Sequence, residues 1–194
     1  MSKIKWKGGA LTAPIPPVLV TCSDGETDNV FTVAWTGITC THPPKTYISV
    51  RPERFSYDII KKSGEFAINL STESLVEAVD FCGIKSGKNI DKFKLCGLEK
   101  DQAFYVSCPI IRQSPLSLEC RVDKIINLGS HDMFLSDIVG ISVDDSIIDR
   151  EGRMNLEKCG LLAFAHGQYF KLGKVLGNFG FSVKRRKNKK HIYK

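Results

Sequence analysis

Between residues 51 and 92 the chain sets cations and hydroxyls at positions suited to a phosphate. Arg51 and Arg54 stand just ahead of Ser56, where the pattern turns helical and Ser56 fits an N-cap. A helix N-terminus offers free N–H groups and the positive end of its dipole, and both favour an anion. Lys88 and Lys92 flank a polar loop, "GIKSGKNIDKF", and add two more cations. Each residue alone reads as an ordinary cap or a solvated cation; together they suit a phosphate. Trp35, set between Ala34 and Thr36, offers a flat apolar wall with small neighbours, unless it is simply a core tryptophan.

Other chemistries lack their residues. No G-x-G-x-x-G follows a strand, so a Rossmann dinucleotide site is not expected. "GIKSGKN" resembles a P-loop but spaces its glycines one residue too close, and Asn89 stands where Ser or Thr must reach magnesium. Neither G-x-S-x-G nor H-E-x-x-H occurs. The four histidines, His42, His131, His166 and His191, make no metal spacing.

The elements that position these residues read mostly as strands. "PIPPVLVTC" (14–22) is a strand opened by prolines. Residues 30–36 are a second, with Phe31, Val33 and Trp35 on one face. Pro43-Pro44 breaks the chain before a third, 46–51, in which Ile48 and Val50 oppose Tyr47, Ser49 and Arg51. "FSYDIIKKSGEF" switches to helical period, with Phe55 and Ile60 placed as a hydrophobic staple and Gly64 as the stop. "EFAINL" is a strand with Phe66, Ile68 and Leu70 inward. Residues 73–82 are a second helix, striped by Leu75, Val79 and Cys82. Residues 116–126 and 133–143 are long strands joined by the turn "NLGSHD". At least six strands with two clear helices predict a mainly β fold, an antiparallel barrel or sandwich with flanking helices.

At 194 residues the chain is one domain, large enough to bury about 70 % of its unfolded surface without disulfides. The net charge of +7 resides wholly in 184–194, "KRRKNKKHIYK", so the body, 1–183, is neutral and has no basic footprint for nucleic acid. The run reads as a solvated, flexible tail. Seven cysteines, an odd number without C-x-x-C, predict free thiols in a reducing, cytoplasmic setting. The prolines of "ALTAPIPPVLV" argue against a signal peptide, and nothing is long and apolar enough to span a membrane.

The runs "AWTGITCTHPPKTYISVRPERFSYDIIKKSGEFAINL", "SGKNIDKF", "SPLSLECRV", "GSHDMFLSDIVG" and "AHGQYFKLGKVLG" follow one another in this order. Over residues 5–183 the chain closely resembles the flavin reductase-like proteins with the FMN-binding split barrel, and within them the flavoredoxins. The resemblance implies a Greek-key split β-barrel that forms a homodimer and holds one FMN per subunit near the interface. It also implies electron transfer through that flavin, from NAD(P)H or a redox protein partner. Asn29, Trp35, Lys92, His131 and Phe164 match flavin-contacting positions. On the same reading Ala34 and Thr36 let the backbone approach the ring, and Ser49, Val50 and Arg51 are aimed at it. Ser56, Lys88 and Lys92 take the phosphate, and His131 adds a hydrogen bond or a positive charge. The turn reads Gly129-Ser130-His131 rather than the GDH linked to nicotinamide use, which favours a carrier with bound FMN over a reductase using FMN as a diffusible substrate. A third reading, a non-catalytic barrel that binds nucleic acid through its tail, lacks the charged groove such barrels use.

Overall fold

The computed structural model describes residues 1–183; the basic run at 184–194 lies outside them. Seven strands form one sheet: β1 (Val18–Ser23), β2 (Asp28–Val33), β3 (Thr36–Thr41), β4 (Pro44–Val50), β5 (Glu65–Asn69), β8 (Leu116–Asn127) and β9 (Asp132–Val143). Two-residue strands β6 (Lys100–Asp101) and β7 (Ile110–Ile111) pair outside it, as do β10 (Leu162–Ala165) and β11 (Gln168–Lys171). The helices are α1 (Phe55–Ser63), α2 (Val76–Ile84) and the single turn α3 (Lys92–Leu95).

The sheet order is β2-β1-β5-β8-β9-β4-β3, antiparallel at every pairing. Its two outer strands, β2 and β3, are consecutive in the chain and joined by only Ala34 and Trp35. A sheet whose edges are so tethered must curl until they meet. Bulges help it bend, at Val139 on β9 opposite Glu119/Cys120, between Val122 and Lys124 on β8, and between Ile38 and Cys40 on β3. The Ser49 N–H donates to the Trp35 carbonyl at 2.9 Å and stitches the seam where the edges meet. This is the split barrel that the family resemblance implies, and it settles the barrel-or-sandwich alternative left by the strand pattern.

Val18, Val20, Cys22, Phe31, Ile48, Phe66 and Phe134 fill the barrel, with Tyr57, Ile59 and Ile60 of α1 packed on them. A second core lies outside it, where Leu19 and Val30 meet Val79 and Cys82 of α2 and Phe93 of α3. All six residues of β1 are therefore buried. The alternation expected of half-buried strands fails there because helices cover the outer face.

Three local expectations change. The strand expected at 30–36 ends at Val33, and Trp35 leaves the inward stripe for the seam, where it is 42 % exposed. Ser56 is not the N-cap of α1. Arg54 takes that place without a side-chain bond, so the proposed staple of Phe55 and Ile60 is out of register. The stop is as expected: Gly64 takes φ 71° and donates its N–H to the Ile60 carbonyl.

Candidate functional site

The site begins with the burial of two polar groups on neighbouring elements. Asn29 of β2 and Ser56 in the first turn of α1 are 4 % and 1 % exposed, and the Asn29 amide donates to the Ser56 hydroxyl at 2.7 Å. Beneath them lies the Cys22 thiol, whose pKa burial pushes up to about 12, so it stays a neutral packing group. Over Asn29 passes the loop that follows α2. A Cβ at Gly87 would stand 2.1 Å from Asn29 Oδ1, so only glycine lets the loop lie that close.

That loop returns the chain to α3, whose first residue is Lys92. Asp91 caps the turn by accepting the Lys94 N–H at 3.1 Å. Lys92 is 3 % exposed, and its ammonium donates only to the carbonyls of Cys82, at 3.4 Å, and Lys85, at 3.3 Å. It makes no ion pair with any described residue. Burial lowers its pKa, because a cation out of water without an anion is disfavoured. A buried ammonium held by two long bonds has unspent capacity for an anion.

Lys92, Asn29, Ser56 and Gly87 border a hollow of about 430 Å³ that Arg51 and Arg54 also line. It runs into a second hollow of about 320 Å³, with Phe31, Arg51, Arg54 and Ile84 as shared walls. Beyond the two shared arginines, the second hollow is lined mainly by apolar and aromatic side chains. Ala34, Trp35, Ser49, Val50, His131 and Phe164 line it. The Trp35 and His131 rings are 4.3 Å apart and tilted by 41°, and Phe164 packs against Tyr169 at 5.1 Å. One depression therefore has a flat aromatic end and a cationic end. Its shape and chemistry suit a planar ring carrying a phosphate.

His131 reaches the aromatic end from the β8–β9 turn. Asp132 fixes that turn by accepting the Tyr57 hydroxyl at 2.6 Å and the Asn127 amide at 2.7 Å. Burial, then the Arg51 charge, lower the His131 pKa below its ordinary 6.5, so the imidazole is neutral at pH 7. Of the two roles expected of His131, a hydrogen bond or a positive charge, the lowered pKa favours the hydrogen bond. Ser130 Oγ already lies 3.0 Å from its Nδ1.

The structure brings together Asn29, Ala34, Trp35, Ser49, Val50, Arg51, Ser56, Lys92, His131 and Phe164 around this depression. It leaves two expected residues aside. The Lys88 side chain is exposed and lines neither hollow; Ser86 and Gly87 take its place, because the turn aims Lys88 outward. Thr36 donates to the Tyr47 carbonyl at 2.6 Å and faces a separate hollow, about 540 Å³, across Trp35. Sequence reasoning missed Gly83, Ser86 and Gly87. The glycines of "GIKSGKN" were the available signal, set aside because they fail the P-loop spacing. Among the described residues, no cluster of His, Cys, Asp or Glu could hold a metal ion, and no helix is long and apolar enough to cross a membrane.

A split barrel with a depression at its seam, cationic at one end and aromatic at the other, is the architecture to set beside known proteins. The model of the flavin reductase like domain matches residues 11–173, and the chain belongs to that family. The flavoredoxin of Desulfovibrio vulgaris (Miyazaki F) is 28 % identical, with a TM-score of 0.87 over 94 % of this chain and 100 % of that one. The flavoredoxin from Methanosarcina acetivorans shares the fold at 23 % identity, with a TM-score of 0.85 over 94 % and 100 %. An uncharacterized protein of Aeropyrum pernix is 29 % identical over 147 residues, 74 % of this chain and 54 % of its own length. This chain thus spans about half the length of that relative.

Proposed function

We propose that this chain binds FMN as a resident prosthetic group and works as an oxidoreductase that relays electrons between redox partners. The observation that carries the reading is Lys92: a buried ammonium with no counter-ion among the described residues, at the cationic end of a depression whose other end is aromatic. One terminal phosphate on a flat ring system matches that layout. The absence of a Rossmann pyrophosphate loop from the sequence favours FMN over FAD.

The residues present fit the cofactor. Lys92, Ser56 and Arg54 would hold the phosphate, with Asn29 orienting the Ser56 hydroxyl. Trp35, His131 and Phe164 would wall the ring. When bound, FMN supplies reversible one- and two-electron chemistry. The chain's part is to bind, orient and shield. Burial of Lys92 excludes water from the phosphate end, and neutral His131 offers a hydrogen bond without adding charge at the ring end. The Gly129-Ser130-His131 turn and the lack of a dinucleotide fingerprint favour a protein donor over NAD(P)H.

Reconstitution followed by rapid reduction tests both halves. The purified protein should be yellow, release FMN on denaturation, and prefer FMN to riboflavin. Its flavin should be bleached by a reduced ferredoxin-type donor and only slowly by NADH or NADPH. A protein that takes up no FMN would end the reading. Fast, saturable bleaching by NAD(P)H would make it a reductase instead of a carrier.

A further inference from the structure

The Lys92 seat carries a feature that flavin binding does not use. Cys82, in the last turns of α2, and Cys96, directly after α3, bring their Sγ atoms within 4.0 Å. Both are free thiols. Their backbones touch the same lysine. Cys82 gives its carbonyl to the Lys92 ammonium at 3.4 Å, and the Cys96 N–H donates to the Lys92 carbonyl at 3.0 Å. Cys82 also lines the cationic hollow.

We propose that Cys82 and Cys96 are a reversible dithiol–disulfide pair, a modification site for peroxides that locks the Lys92 seat. Bond formation has to bring the two sulfurs from 4.0 Å to about 2 Å, across the gap between the last turn of α2 and the residue that ends α3. The two thiols differ in access. Cys82 is fully buried, and burial together with its neighbour Cys96 pushes its pKa up to about 12, so it is inert towards solvent oxidants. Cys96 is partly exposed and meets the oxidant first. Its sulfur takes oxygen from a peroxide to give the sulfenic acid, and the peroxide leaves as water or an alcohol. The Cys82 sulfur then attacks the Cys96 sulfur. The S–O bond breaks, and the hydroxyl departs as water with the Cys82 proton. Two thiols have lost two electrons and two protons, and the peroxide has taken them up.

The bond would tie α2 to the turn that carries Lys92, across the same gap the lysine bridges. Lys92 borders the cationic hollow from that turn, and its ammonium holds the loop at 85–91 through the Lys85 carbonyl, so ligand exchange at that end depends on how freely the turn and the loop move. The disulfide therefore slows exchange at the phosphate end. This second step rests on the FMN reading; formation of the bond does not.

The test uses the full chain, with hydrogen peroxide as oxidant and dithiothreitol as reductant. Peptide mass spectrometry should find a Cys82–Cys96 link that lacks two hydrogens and disappears on reduction. Cys96→Ser should fold with the same far-ultraviolet spectrum and give no link. Over-oxidised Cys96, or a link from Cys82 or Cys96 to any other cysteine, would overturn the proposal. In the reconstituted protein the oxidised form should release FMN about tenfold more slowly than the reduced form, with no such difference in Cys96→Ser. A disulfide that forms but leaves release unchanged would overturn the lock. A chain that forms the disulfide but takes up no FMN would overturn the cofactor reading while leaving the bond established.

Discussion

Lys92 is the residue whose chemistry reaches furthest. Replacing it with alanine removes a charge-assisted contact worth roughly 1.5–3 kcal/mol, so FMN affinity should fall by about 10- to 150-fold. Riboflavin, which lacks the phosphate, should lose little, and fluorescence titration of both ligands separates the two. Equal losses would mean that Lys92 supports the fold and not the phosphate. His131 gives a pH-dependent counterpart. Its pKa is lowered by burial and by Arg51, so folding favours the neutral ring. The stability it contributes is present above the ordinary value of 6.5 and is lost as pH falls through that value towards the lower folded one. The spectrum of bound flavin should be flat from about pH 7 to 9 and change only on the acid side, and His131→Asn should abolish that change. A change centred above pH 7 would assign the titration to another group.

At the level of elements, short connections complete a site that strands and helix starts begin, with Asn29 on β2, Ser49 and Val50 on β4, and Phe164 on β10. Ala34 and Trp35 join the barrel's two edges, the turn after Asn127 presents His131, and the loop at 85–91 folds over Asn29. Most strands of the sheet were legible because their apolar content fixes them; β3 was not, because its largely exposed residues carry no buried alternation between the strands expected at 30–36 and 46–51. Residues 116–126 and 133–143 became β8 and β9 nearly to the residue. The connections were not, because their conformation answers to what they pack against. Trp35 continued the alternation of β2 on paper, and only closure of the barrel turned it outward. Ser56 had the composition of a cap, yet the helix starts one residue earlier and uses its hydroxyl to receive Asn29. Gly87→Ala is the matching experiment. Its Cβ would meet Asn29 Oδ1 at 2.1 Å, so either the loop lifts or the Asn29 amide turns away from Ser56. The cost should be about 1–3 kcal/mol in chemical unfolding, with a larger fractional loss of FMN than of riboflavin. An unchanged FMN affinity would show that the loop does not guard the phosphate end.

For the whole molecule, the outstanding surface is the apolar chain beyond β11. Leu172, Val175, Leu176, Phe179 and Phe181 are all exposed, with Phe179 fully so. A soluble chain rarely leaves so many large apolar side chains in water unless something covers them. A second copy is the expected cover, in line with the dimer that the family resemblance implies. Light scattering at micromolar concentration should give twice the chain mass of 21.6 kDa, and removal of residues 172–194 should give monomer. A full-length protein that runs as a monomer would refute this. Removal of 184–194 alone should change neither mass nor flavin content, since the body without that run is neutral and contains every residue of the depression.

The sequence by itself determined the strand-rich class, the order of the principal strands and of the two longer helices, the seven unpaired thiols and the residue types at the site. These follow from local pattern: alternation, turn residues, and cations beside a helical start. Tertiary structure alone decided that β2 and β3 are the two edges of one curled sheet, so that the break between them became the floor of a depression. It also decided that Lys92 and not Lys88 is the buried cation, because one lysine opens a capped turn against α2 while the other sits on a loop aimed at solvent. Burial is a property of what the rest of the chain places overhead, and two lysines four residues apart in one sequence window carry no local sign of it.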